Sequence, residues 1–449
     1  MPPVLANYYL TYKCNSRCTY CDIPTKPENI PIRETKPELI IENLAALKRL
    51  GVKVIDFTGG EPLIYPHLPK VMRAAKEMGF FTSLANTGIL YPRMANELRG
   101  LVDDLKFSLS TTDPEFYSKE RGIDGFHRAI EGIKLALSLG ERPSIVTTAT
   151  PESIDQIEEV IRFAQELGVV VLLGPVFDFC GNELLHKEGV EKLKRLADMD
   201  NVCVNWAFVE FYLDGGNQIS KPRCRAISST IVVSPDDHML LPCYHMHDER
   251  IPIKHENGRS NLDELWHSGH VQTRRKEEGA WKFCQGCTIW CYFETSFLWP
   301  PDKYFFLNVK SKLRWGKEKI KQHFHIGYPK AGSLALARAL PGSANKTLKE
   351  VAANPIKEKD TVPMPASGSS CSSAAPAPSQ SIPVSVQSGC GSTAPSQGIP
   401  VSIQSGCDSA ASSQSSQGIP VQITRSQDTA DTASPLSAAG TAIIPILIQ

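Results

Sequence analysis

Over its first 173 residues the chain alternates short apolar runs with helical patterns, and this alternation restricts the folds open to it. Strand-like runs fall at 7–12, 53–57, 80–84, 104–109, 144–149 and 169–173. The segment 38–50 carries apolar residues at helical spacing and stops at Gly51, and similar patterns cover 67–78, 126–139 and 153–167. Six strand-then-helix units predict an α/β protein built on a parallel sheet.

The loop after the first run holds Cys14, Cys18 and Cys21, a C-x3-C-x2-C spacing with Tyr20 just before the last cysteine. Thiolates this close together can converge on a soft metal centre, and cysteines are the usual holders of iron–sulfur clusters. Three ligands leave one iron of a cubane cluster open, which marks a catalytic site. A zinc knuckle or ordinary buried thiols also fit the spacing, but the nearest histidine is His67 and no further cysteine precedes Cys180. A second motif, Thr58-Gly59-Gly60-Glu61-Pro62, follows the strand-like Val54-Ile55-Asp56-Phe57. Paired glycines let a backbone approach a ligand closely, and the Glu61 carboxylate would suit an ammonium group.

Together, C-x3-C-x2-C and the later Gly-Gly-Glu-Pro turn resemble the radical S-adenosylmethionine (SAM) enzymes. The resemblance implies a partial (β/α)6 TIM-like barrel with both motifs at the C-terminal ends of strands, where barrel enzymes carry their chemistry. It implies that Cys14, Cys18 and Cys21 hold a [4Fe-4S] cluster whose open iron binds the amino and carboxylate groups of SAM. Tyr20 would lie beside the adenine, and Gly59, Gly60 and Glu61 would receive the methionine amino group. Ser108 and Ser110 match positions of a ribose contact, and Arg121 an arginine near the SAM carboxylate. Such serines are as commonly turn or capping residues, and such an arginine is as commonly just solvated. The implied reaction begins when an electron from a donor such as flavodoxin or ferredoxin enters the cluster. SAM is then cleaved to a 5′-deoxyadenosyl radical that abstracts hydrogen from the substrate.

A second cysteine group follows: Cys224, then Cys243 after Ser234-Pro235-Asp236-Asp237-His238, then Cys284, Cys287 and Cys291. Its order resembles the SPASM/twitch extension of radical SAM enzymes, a small cysteine-rich α+β domain. There a hairpin turn reads Pro-Asp-Gly; His238 stands in place of the glycine. The full extension uses seven cysteines and this region has five, so the resemblance implies one auxiliary [4Fe-4S] cluster, with a structural zinc as the alternative. Cys180 and Cys203 are expected to be buried structural thiols, and His245 and His247 to be surface or substrate-facing residues.

These readings divide the chain into a barrel at 1–215, the auxiliary region at 216–298, a basic aromatic segment at 299–335 and a tail at 340–449. Residues 299–324 hold seven Lys/Arg against two acidic residues, with aromatics interleaved. That composition suits a helix at a membrane surface, but the favoured reading is a final amphipathic helix packed on the barrel with its lysines solvated. The tail is rich in Ser, Ala, Pro, Gln and Gly and carries Ile-Pro repeats, so it is expected to be disordered. No run approaches a membrane span, thirteen cysteines without a signal peptide suit a reducing cytoplasm, and zero net charge gives no pull toward nucleic acid. The favoured activity is oxidative modification of a peptide or protein, although no leader-binding domain precedes residue 5. Modification of a small molecule or lipid comes second; there the layout is similar to the molybdopterin-precursor cyclase, whose C-terminal Gly-Gly is missing. A non-catalytic iron–sulfur or zinc scaffold comes third.

Overall fold

The structure is a computed structural model that describes residues 2–178, 181–246 and 249–327. Cys180, His247 and the 340–449 tail with its repeats and Cys371, Cys390 and Cys407 lie outside the described residues.

Seven parallel strands run side by side in chain order: β1 (Leu5–Thr11), β2 (Val54–Gly59), β3 (Phe81–Asn86), β4 (Asp104–Ser108), β5 (Ser144–Ala149), β6 (Val170–Pro175) and β7 (Val202–Val204). The first six fall on the predicted runs to within about two residues; β7 was not foreseen, because Val202-Cys203-Val204 is too short to show a period. The alternation of side chains explains how the strands bury two different faces. Ile55, Phe57, Leu105 and Phe107 join Leu44, Leu47, Ile130 and Ile161 of the covering helices in one apolar layer. Their neighbours Asp56, Asp104 and Lys106 turn the other way and line the interior. The sheet with its covering helices is the partial TIM-like barrel that the sequence predicts.

The helices stop where their sequences require it. Helix Pro37–Leu50 has proline in its first turn and ends at Gly51, whose φ of 89° closes the helix with amide bonds to Leu47 and Lys48. Gly168 ends helix Ile157–Leu167 in the same left-handed way, at φ 68°.

The hairpin of the second cysteine region continues the barrel sheet. Strand β8 (Thr230–Val233) pairs in parallel with β1, Leu5 opposite Thr230, and is followed outward by antiparallel β9 (His238–Leu241) and β10 (Glu249–Pro252). The turn that joins β8 to β9 places its left-handed residue at Asp237, φ 66°, rather than at His238. His238 therefore needs no glycine-like backbone; aspartate tolerates the left-handed region better than most residues.

Helix Lys303–Phe324 packs along helix Trp206–Leu213 and against β6 and β7. It does so through a polar face. Asn308 accepts from Asn205 at 3.0 Å, Ser311 from the Trp206 amide at 2.9 Å, and Gln322 donates to the Pro143 and Gly168 carbonyls at 2.9 and 3.2 Å.

Candidate active site

The cysteine loop is pinned to the Gly-Gly-Glu turn by backbone alone. Gly60 N–H donates to the Thr11 carbonyl at 2.8 Å and Glu61 N–H to that of Lys13 at 2.9 Å. This approach leaves no room for a side chain: a Cβ on Gly59 would sit 2.1 Å from the Thr11 oxygen, and one on Gly60 2.3 Å from the Lys13 oxygen. Gly59 also has φ 147°, which disfavours any L side chain. The paired glycines are thus required by the approach of the cysteine loop itself.

A second segment docks from the other side. Arg17 N–H donates to the Arg121 carbonyl at 2.7 Å and Thr19 N–H to that of Glu120 at 2.9 Å. The Arg121 side chain is buried, 3.6 Å from the Cys18 sulfur through Nη1 and 3.3 Å from Ser110 Oγ through Nη2. Its guanidinium faces the Tyr20 ring, centred 5.6 Å away. Ser110 also bonds Glu120. Ser108, which ends β4 opposite Val146, has the same parity along the strand as Lys106 and so faces the interior.

Glu61 is wholly buried. Its carboxylate accepts from Leu63 N–H at 3.1 Å and Thr87 N–H at 2.8 Å, yet burial pushes its pKa up to about 7. Cys14 is close enough to sense Glu61, Cys18 and Cys21, and burial followed by the Glu61 charge pushes its thiol up. Glu120 Oε1 and Ser16 Oγ are buried without hydrogen-bond partners, while Arg121 Nε lies 3.3 Å from Glu120 Oε2 as an ion pair. Orphaned groups of this kind call for a polar occupant. Among the described residues, no three His, Cys, Asp or Glu side chains converge as a single metal ion would need. A cubane cluster spreads its thiolates over separate irons, so three neighbouring but unconverged thiols fit a cluster. The surrounding groups fit SAM: an acid for an ammonium at Glu61, and a cation for a carboxylate at Arg121.

One cavity borders this loop and another lies in the barrel interior. The first, about 460 Å³, is bordered by Tyr20, Lys119, Glu120, Thr150 and Asn182, just beyond the ends of β5 and β6. The other, about 350 Å³, fills the barrel interior between Asp56, Thr58, Lys106 and Thr147 of the sheet and Trp290, Cys291, Glu294 and Lys312 of two covering helices. Lys106 pairs with Asp104 at 2.9 Å and donates to Ser83 at 2.8 Å; Lys312 pairs with Glu294. Burial pulls the Lys312 ammonium well below its usual pKa. These inward charges were missed as site residues. Their signal was present, since Asp56, Asp104 and Lys106 interrupt apolar strands at period two.

The five cysteines of the second group do not act alike. Cys224 senses Cys287 and Cys243, Cys243 senses Cys287 and Cys284, and Cys287 senses Cys284; in each case burial is the larger cause of a raised thiol pKa, to about 12 for Cys243 and Cys287. Cys284, pushed by burial to about 11, completes this set of four. Cys291, pushed to about 12, feels Asp56 of β2 most after burial, senses Cys287 as well, and lines the barrel cavity. Asn217 organises the set: it accepts from the Arg223 and Cys224 amides at 2.9 and 3.1 Å and donates to the Gly279 and Cys284 carbonyls at 2.8 and 3.1 Å. Its backbone bonds Gly286 and Cys287 as well. Cys203 is buried in β7, as expected of a structural thiol, and it also lines the cavity. The His245 ring packs edge-on against Phe177, Tyr244 and Tyr292.

Residues 8–164 match the Radical SAM superfamily. A probable GTP 3′,8-cyclase of Sulfurisphaera tokodaii is 27% identical over 267 residues, covering 54% of this chain and 82% of that protein. The corresponding protein of Archaeoglobus fulgidus is 32% identical over 157 residues, 34% of this chain, which spans about half (52%) of that relative. Among solved structures, Streptococcus suis SuiB bound to S-adenosylmethionine aligns with a TM-score of 0.48 at 18% identity, over 60% of this chain and 66% of that one. The enzyme anSMEcpe with bound AdoMet aligns with a TM-score of 0.48 at 15% identity, over 72% and 99%.

Proposed function

Because the chain belongs to the radical SAM superfamily of enzymes through its residues 8–164, we propose that Cys14, Cys18 and Cys21 hold a [4Fe-4S] cluster and that Glu61 and Arg121 orient SAM upon it. When bound, this pair supplies reductive cleavage of SAM and hydrogen abstraction from the substrate. The protein does the positioning. Glu61 offers a buried carboxylate to the methionine ammonium, the Arg121 guanidinium faces the carboxylate, Tyr20 borders the adenine, and the Gly59–Gly60 turn fixes the loop. Ser108 and Ser110 stand as candidate ribose contacts, Ser110 through a hydroxyl already shared with Glu120 and Arg121.

The reacting part of the substrate is assigned to the barrel cavity. One observation carries the choice between substrates: both lysines among its lining residues are already ion-paired, Lys106 with Asp104 and Lys312 with Glu294. A triphosphate, as in the GTP named for the cyclase relatives, would find no unpaired lysine or arginine among them. A volume of about 350 Å³ lies at the lower end of the range for small-ligand sites and admits an amino-acid side chain or a small polar molecule. This supports peptide or protein modification first and a small unphosphorylated molecule second. Cys224, Cys243, Cys284 and Cys287 would hold one auxiliary [4Fe-4S] cluster, a closed set of four.

Anaerobic reconstitution with iron, sulfide, dithionite and SAM tests the reading. About eight irons per chain and formation of 5′-deoxyadenosine are expected. The Cys14→Ala/Cys18→Ala/Cys21→Ala protein should keep about four irons and form none of the nucleoside. Stimulation of turnover by GTP would overturn the substrate assignment while leaving the cluster assignment standing.

A further inference from the structure

Helix Lys303–Phe324 inverts the usual amphipathic arrangement. Its polar residues Asn308, Ser311, Lys312, Glu318 and Gln322 are buried against the barrel, while Phe306, Leu313, Ile320 and Phe324 are 64%, 61%, 54% and 66% exposed. These four recur at intervals of seven, seven and four residues, so they form one stripe on the outward side. Lys303, Lys310 and Lys317 are exposed as well and follow one flank of the stripe, again seven residues apart. Large apolar side chains held out in water over a 22-residue helix, about 33 Å long, mark an interaction surface.

We infer that this outward face docks on an anionic lipid surface, with Phe306, Leu313, Ile320 and Phe324 entering the headgroup region and Lys310 and Lys317 meeting lipid phosphates. The charge pattern selects this occupant. Lys303 is met by Glu210 and Asp214 at the end of the neighbouring helix, at 3.2 and 2.6 Å. The only acidic residue within Lys303–Phe324, Glu318, is buried on the inner side, so nothing acidic on this helix answers Lys310 and Lys317. A second copy placed face to face would set lysine against lysine. A bilayer surface supplies both apolar depth and negative charge, and lysine stems can cover apolar surface while their ammonium groups reach outward. No helix among the described residues is long and apolar enough to cross a membrane, so the contact lies along the surface. The same helix lines the barrel cavity with Ser311, Lys312 and Trp315. Docking therefore holds the cavity about one helix diameter, ~10 Å, from the lipid.

Vesicle flotation of the full chain tests this. Wild-type protein should float with vesicles of 30% phosphatidylglycerol in phosphatidylcholine and release from them as salt rises to 0.5 M, as expected for lysine–phosphate contacts. Leu313→Ser/Ile320→Ser/Phe324→Ser should lower the floated fraction at least tenfold. Lys310→Glu/Lys317→Glu should lower it comparably at low salt only. All five positions are exposed, so circular dichroism and urea midpoints should match wild type. Failure of wild type to float would overturn the inference, as would equal flotation of the triple-serine variant. So would light scattering that shows wild type dimeric and the triple-serine variant monomeric without vesicles, since the stripe would then belong to a second copy.

Discussion

Glu61 carries a pH signature that follows from where it sits. Burial holds its pKa near 7 against an ordinary glutamate value of 4.5, so the fold keeps a proton that the unfolded chain releases. Its favourable contribution is fully present below about pH 4.5, is lost as pH rises toward 7, and stays lost above. The total is of order 3 kcal/mol. In iron-free protein, urea-unfolding stability should therefore fall between these limits, and Glu61→Gln should flatten the fall. Gly59 makes a complementary prediction. Gly59→Ala puts a methyl carbon against the Thr11 carbonyl at a backbone angle alanine avoids. We expect a loss of about 3 kcal/mol or more in urea titration, with loss of the Cys14–Cys21 cluster absorbance. That Gly59 and Glu61 mattered was legible from their order after a strand. That the glycines serve the cysteine loop was not, because Thr11 and Lys13 meet them only in three dimensions.

At the level of elements, the two cysteine groups differ in what holds them. The first is clamped between the ends of β2 and helix Pro114–Arg121, whose Gly122 packs on Arg17. The second hangs on Asn217, a residue that no spacing singled out, since a lone asparagine in a loop has no sequence signature. Asn217→Ala should leave the Cys224 and Cys284–Cys287 segments unjoined. Iron content should drop from about eight to about four per chain, while 5′-deoxyadenosine formation without substrate persists. Helix Lys303–Phe324 was expected either at a membrane or packed on the barrel with its lysines solvated. Composition showed that the segment was basic and aromatic but not which face would turn inward. Lys312 is the clearest departure from solvated lysines, buried and paired with Glu294. Lys312→Met should cost about 3 kcal/mol by stranding Glu294, and Lys312→Met/Glu294→Leu should recover most of it, measured as a double-mutant cycle.

On the scale of the whole molecule, the barrel was largely readable because its strands are apolar runs between glycine-terminated helices. The period-two charges inside those strands carried a signal of the cavity that was not read, and only the folded sheet shows that Asp56, Lys106 and Cys291 share it. The place of the second cysteine region was not readable, since strand pairing between Leu5–Tyr8 and Thr230–Val233 joins residues more than two hundred positions apart. That pairing has a consequence for how the protein gains and loses its structure. Strand β1 lies between β2 and β8, and it leads directly into the cysteine loop. A chain cut after residue 215 would leave one side of β1 with its amides and carbonyls unmet, an invitation to self-association beside the catalytic loop. The barrel and the cysteine-rich region should accordingly melt in one cooperative transition, and a fragment ending at 215 should be recovered as aggregate rather than as a smaller enzyme.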